Sequence, residues 1–365
     1  MLQEEREALV PLSPARSAGA FQQAQRTWLP VLTLYVLAPL IAEMLTGSTP
    51  PLMWNNVGGI ILTTGLYGSG ALLARELIRR RGLGWSSLAL LGAAYGVLEE
   101  GLAFQSWFNP TWEGSPDAAR FLEVNWTFVV IFTTIHVALS VMSSVVVTEA
   151  LFPRQADRPW LGRKGVVGFT IWLFVITVWL VVSDGFLLFR GKGYDHPPLS
   201  YGVALVLFAL LLWLGLRRRK ASASSPAGLH AMLRPAPRLW TLRLAGFAAA
   251  FAVLVNLFFL RTIIPVPLIP TGIVVGVDLV SVLVVRRWSK RPGWGMRHRL
   301  ALVSGVMGFF IVFSPLFEFV IPHRPDLHMT GLTLVNLVAL IGLIWLARRV
   351  ARWETANTSL PSVES

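Results

Sequence analysis

The chain is divided into ten apolar runs, and that division leaves few folds open. The runs cover residues 28–46, 57–75, 85–104, 126–152, 166–188, 201–216, 242–260, 263–285, 300–320 and 331–347. Most come near the ~20 residues that a helix needs to cross a bilayer. Lipid offers no partner to backbone N–H and C=O groups, so such runs fold as helices that satisfy their own backbone. The expected fold class is all-α, a polytopic transmembrane helical bundle of about ten spans. Composition agrees, because only 14% of the residues are charged, against about 25% in a soluble domain. Residues 1–27 are polar and proline-interrupted, and the first run carries Pro30, Pro39 and Glu43. It reads as a retained span and not as a cleaved leader. The seventh and eighth runs are separated by little more than Arg261, so they stand either as two spans or as one bent hairpin.

The basic residues test the count. If the connections alternate between sides, 27 of the 32 Lys and Arg residues fall on one side and 5 on the other. A wrong number of spans would scramble this split. The positive-inside rule then places both termini in the cytoplasm, with the plasma membrane as the expected location. The same clustering explains the net charge of +13 by orientation and by anionic lipid at the cytoplasmic face. No nucleic-acid partner is implied. The chain has no cysteine, so disulfides, thiolate metal sites and thiol nucleophiles are excluded.

Five regions follow from this layout. Residues 1–27 form a cytoplasmic tail, 28–216 a six-span region, 217–241 a basic Ser/Ala/Pro-rich linker, 242–348 a four-span region and 349–365 a second cytoplasmic tail. Glycines mark expected packing faces: Gly92 and Gly96 in the third span, Gly272 and Gly276 in the eighth, and Gly58, Gly59, Gly65, Gly68 and Gly70 in the second. Small residues let helix backbones approach closely in lipid. The stretch "GLYGSGA" lacks the Gly-Lys-Ser/Thr of a phosphate loop and lies inside a span.

The stretch "GVLEEGLAFQSWFNP", residues 96–110, places Glu99 and Glu100 side by side in an otherwise apolar run. A charged side chain at a bilayer centre costs about 2.5–3.5 kcal/mol on insertion scales. At ~1.5 Å per residue, Glu99 lies about 21 Å from the cytoplasmic edge, in the outer third of the membrane. His136, in the fourth span, enters from the other side to roughly 15 Å depth by the same rise. At about 100° per residue, the two glutamates flank the Gly92/Gly96 ridge. Both therefore face a helix interface, and His136 is the expected partner. Ser140, Ser143 and Ser144 follow at helical spacing. Other polar residues near this level are Glu43, Asn256 and Asn336. Asp184 and Glu318 stand near enough to the surface to be solvated, Glu149 is expected to snorkel, and Asp278 has no evident partner. His196, Asp195, His323, Asp326 and His328 fall in external loops, where solvation is the default reading; no metal and no cofactor is expected.

"LEEGLAFQ" followed by "FTTIH" resembles the CPBP family, which contains the CAAX prenyl proteases and bacteriocin-processing relatives. The resemblance covers about 40 residues of the chain. Glu99 and Glu100 match the family's paired glutamates, and Phe132 and His136 match its FxxxH motif. Phe104 stands at the position of the arginine in EExxxR. The resemblance implies a glutamate-activated water attacking a peptide bond inside the membrane, with histidine steadying the oxyanion. Candidate catalytic residues are thus Glu99, Glu100 and His136. Two other classes use the same residues differently. A proton- or cation-coupled transporter would use the carboxylates as ion sites, and a non-enzymatic assembly or structural protein would use them as glue between helices.

Overall fold

The computed structural model describes residues 28–110, 112, 120–183, 198–217, 234–260, 263–264, 266, 268–320 and 328–358. Among them the ten apolar runs become ten helices: α1 (Trp28–Met44), α2 (Val57–Arg81), α3 (85–103), α4 (Trp126–Leu151), α5 (Arg163–Ser183), α6 (Pro198–Arg217), α7 (Leu239–Leu260), α8 (Leu268–Trp288), α9 (Met296–Phe319) and α10 (Leu332–Thr358). All but α1 and α3 are both long and apolar enough to cross a bilayer. The α7 and α8 helices are separate elements. The α10 helix continues past the apolar run, and Glu354 on that extension meets Arg297 of α9. The first tail, most of the linker, Asp184, and the loop residues Asp195, His196, His323 and Asp326 lie outside the described residues.

Local sequence sets the helix ends. The side chain of Asn56 accepts from the Gly58 and Gly59 amides at 3.0 and 3.4 Å, which caps α2, and Asn125 accepts from Phe128 N at 3.1 Å to cap α4. These oxygens satisfy N–H groups that the first turn leaves free. The α2 helix stops at Gly82, whose φ of 60° suits a residue without a Cβ. Glu318 remains partly exposed, as expected near the surface. Its two oxygens accept from Gly331 N at 2.8 Å and Thr333 N at 2.6 Å, so a carboxylate on α9 caps α10.

Two buried clusters form the interior. One joins α1, α2, α3, α4 and α5 around Leu34, Leu72, Leu88 and Val145. The other takes residues from α4 and from α7 to α10, including Phe128, Ile131, Leu300 and Phe310. The α7 and α9 helices touch backbone to backbone: a Cβ at Gly246 would strike Leu302 O, and one at Gly305 would strike Arg243 O. Gly92 and Gly96 pack on α4 as expected; their missing Cβ atoms would lie 3.2 Å from Val137 Cα and 3.3 Å from His136 Cβ. Gly272 and Gly276 do not pack, since among the described residues nothing lies within 4 Å of a Cβ placed on either. The spacing alone could not tell a ridge with a neighbour from one without. Asp278 finds a partner in Thr134, whose Oγ1 donates at 2.6 Å across the α4–α8 contact.

The segment after α3 folds back over the bundle. Gln105 has φ 57°, and the chain then runs buried through Ser106, Trp107, Phe108 and Asn109. A two-residue hairpin, β1 (Arg120–Phe121) and β2 (Val124–Asn125), turns through Leu122 and Glu123, both at positive φ. Asn125 N donates to Trp107 O at 2.9 Å and Arg120 Nη1 to Phe108 O at 2.6 Å, which ties the hairpin to that segment.

Candidate functional site

Four helices bring polar side chains to one level on the arginine-poor side of the bundle. Glu43 comes from α1, Tyr67 from α2, Tyr95, Glu99 and Glu100 from α3, and His136 and Ser140 from α4. Each helix departs from α geometry there. Residues Leu40–Met44, Thr64–Gly68, Val97–Ala103 and His136–Ser143 are π-helical. A π segment inserts a residue into the helical repeat and re-aims the side chains around it, and such segments are frequent at functional sites. On α4, Ser143 and Ser144 donate to the carbonyls five residues back, at 2.7 and 3.0 Å. They sustain the wider turn and take no part in the cluster.

His136 sits between the two glutamates. Its Nε2 lies 3.0 Å from Glu100 Oε1, and its Nδ1 lies 3.0 Å from Ser140 Oγ and 3.3 Å from Glu99 Oε2. Ser106, in the segment that folds back after α3, donates to the other oxygen of Glu100. Glu100 is therefore held at both oxygens. Glu99 is not: both of its oxygens are buried and neither has a hydrogen-bond partner of normal geometry. Its neighbours are the Tyr67 and Tyr95 phenols. The Tyr67 hydroxyl instead donates to Glu43 Oε1, and the Tyr95 hydroxyl makes no hydrogen bond. The Tyr95 ring stands edge-on to the His136 ring with centroids 5.7 Å apart, and the Tyr67 ring lies 6.2 Å from it.

The cluster is closed. Glu99 is 1% exposed, His136 3% and Glu100 8%. Closure strengthens each electrostatic contact and makes an unpaired carboxylate oxygen costly. The contact between Nδ1 and Glu99 also requires a proton between them, because a lone pair facing a carboxylate would repel it. One ligand atom from each of Glu99, Glu100 and His136 lies within 4.8 Å of the others. Two carboxylates and an imidazole at that spacing form a set able to hold a divalent cation, which the spacing in sequence did not suggest.

The predicted residues Glu99, Glu100 and His136 thus meet. Phe132, one turn before His136, packs on Phe128 with centroids 4.9 Å apart, away from the cluster. Phe104, at the arginine position of the motif, packs on Trp112 at 5.8 Å. The reading of the sequence passed over Tyr67, Tyr95 and Ser106. A usable signal existed for Tyr95, which precedes Glu99 by four residues and so shares its helix face. Glu149 also needs correction. It does not snorkel; it is 2% exposed and paired with Arg75 and Arg79.

Residues 32–351 match a family described as an uncharacterized membrane protein family. The chain belongs to that family. Comparison with curated proteins and with solved structures gave no match. The protein is accordingly a multi-pass integral membrane protein of that family, with a buried Glu/Glu/His cluster.

Proposed function

We propose that the cluster is the reactive centre of a glutamate-dependent intramembrane peptidase, with Glu99 as general base. One observation carries the reading: Glu99 is a fully enclosed carboxylate whose Oε1 meets no donor and whose Oε2 has only the 3.3 Å contact with Nδ1 of a histidine that is itself held on both sides. An unused, preorganised base is what proton abstraction requires. In the reaction, Glu99 takes a proton from water and the resulting hydroxide attacks the carbonyl carbon of a peptide bond. Protonated His136 steadies the oxyanion. The C–N bond then breaks as the proton held by Glu99 passes to the leaving amine. Glu100 and Ser140 position the imidazole, and Ser106 holds Glu100. The likeness of "LEEGLAFQ" and "FTTIH" to the CPBP motifs points to the same chemistry. Both termini are assigned to the cytoplasm of a plasma-membrane protein, which puts the cluster in the outer half and the arginine-rich ends against anionic lipid.

The test compares new peptide termini in membranes from cells that express wild type or Glu99→Gln. Expected are cleavage products present with wild type and absent with Glu99→Gln. Identical sets of termini would overturn the reading. A second reading, a proton-coupled carrier, draws on the closure of the cluster to water. Proton flux into proteoliposomes that tracks Glu99 without any cleavage would favour it.

A further inference from the structure

Glu99 is sealed at 1% exposure, so any proton that it exchanges with bulk water must pass through neighbouring side chains. Among the described residues two neighbours of Glu99 lead outward: His136 leads to Glu100, whose side chain is 11% exposed, and Tyr67 leads to a more exposed carboxylate, Glu43. Tyr67 is 5% exposed and hydrogen-bonded to Glu43 Oε1, and Glu43 is half-buried on α1. The other oxygen of Glu43 accepts from Thr49 Oγ1 at 2.6 Å, beside the exposed Ser48. Tyr95, the second phenol beside Glu99, makes no hydrogen bond and leads nowhere. The Tyr67 and Glu43 positions both fall in π-helical turns, so two helices are distorted where the connection is made.

We infer that Glu43 and Tyr67 are the proton entry to the cluster, a relay from the membrane surface to Glu99 and His136. A proton arriving on Glu43 passes to the Tyr67 oxygen while the Tyr67 hydroxyl proton passes to Glu99. No atom is gained or lost, and Tyr67 stays neutral throughout. After the transfer the Tyr67 hydroxyl donates to Glu43, and its rotation toward Glu99 resets the path. The titratable groups that face this path are Glu43, Tyr67, Tyr95, Glu99, Glu100 and His136.

The inference rests on Glu99 being a proton-exchanging group, and its test needs no substrate. The full chain is labelled with ¹⁵N-histidine in nanodiscs, and His136→Gln identifies the His136 ring signal. The rate at which its ring N–H exchanges with D₂O is then measured. Tyr67→Phe and Glu43→Gln are expected to slow exchange about tenfold or more, while Tyr95→Phe stays within about twofold of wild type. Thr49→Val, which frees Glu43 without touching the cluster, is expected to slow exchange as well, and it guards against a folding defect at Tyr67. Unchanged rates in Tyr67→Phe and Glu43→Gln, or equal slowing by Tyr95→Phe, would overturn the relay. Peptide cleavage can fail its own test while this result stands, and the reverse also holds.

Discussion

The α2 helix reaches two buried charge clusters, one near its arginine-rich end and one near its middle, and they are built on opposite rules. Near its arginine-rich end, Arg75 is 0% exposed and all three guanidinium nitrogens are engaged. Nε meets Glu149 at 3.2 Å, Nη1 meets Glu76 at 2.8 Å, and Nη2 donates to Ala156 O at 2.7 Å. The guanidinium also stacks 3.4 Å from the Trp160 ring centroid. Glu76 accepts from the backbone amides of Trp160 and Leu161 at 2.7 and 3.2 Å, and Arg79 grips Glu149 through two nitrogens. Every carboxylate oxygen there has a donor. Near the middle of the helix, Tyr67 stands beside Glu99, whose Oε1 has no donor and whose Oε2 has only the 3.3 Å contact with His136 Nδ1. A saturated buried network fixes geometry; an unsaturated one keeps a group ready to react. The first clamps the connection between α4 and α5 onto α2. The second is the cluster proposed above as the reactive centre.

The largest effect that tests this contrast comes from breaking the clamp. Arg75→Ala leaves Glu76 and Glu149 buried beside one fewer cation, and it should cost about 3–5 kcal/mol of stability. Folded yield and melting temperature in detergent report it. If Arg75→Ala and Glu99→Gln lose equal stability, the contrast between the clusters is wrong. Glu99→Gln should instead leave the melting temperature near that of wild type while cleavage falls about 10²-fold or more. The amide keeps the shape but cannot accept the proton.

Packing sharpens the comparison at a smaller scale. Gly96→Leu drives a side chain into His136 and Thr133, whose atoms already lie 3.3 Å from the ideal Cβ position. It should destabilise the protein by about 1–3 kcal/mol. At Gly272 a Cβ meets nothing within 4 Å, so Gly272→Leu should be nearly silent. Next comes coupling within the cluster. Glu100→Ala and His136→Ala should be non-additive by about 0.5 kcal/mol or more in a double-mutant cycle, as for residues in direct contact. Strict additivity would remove Glu100 as the support of the imidazole. The smallest perturbation is a label. With no native cysteine to interfere, Glu123→Cys should react with an impermeant maleimide on intact cells and Lys290→Cys should not. The opposite result would invert the orientation and put the cluster in the inner half.

Much of the site was legible because helical spacing carries azimuth and depth. Glu99 and Glu100 flank Gly96, Gly96 touches His136, and the three meet as the spacing implied. Tyr95 carried a signal in its spacing to Glu99, but Tyr67 and Ser106 carried none. Tyr67 and Ser106 approach the cluster from a different helix and from a folded-back loop, and no periodicity within α3 or α4 points to either. The π-helical turns also fall outside a fixed 100° step. Glu149 was misplaced for a related reason. Depth alone suggested a snorkelling carboxylate, whereas Arg75 and Arg79 on a neighbouring helix supply its charge partners.

The sequence by itself determined that this is a helical membrane protein of about ten spans with one polar level between the third and fourth. Bilayer thickness and backbone hydrogen bonding act on each segment alone, so their demands are written locally. Tertiary structure alone decided which glycine ridge has a neighbour, which charges are saturated and which carboxylate is left unused. Those are properties of contacts between helices far apart in the chain, such as Arg75 with Glu149 and Glu43 with Tyr67. Hydrogen-bond saturation is settled only when the helices dock, because each donor and acceptor is matched across an interface that no single segment encodes.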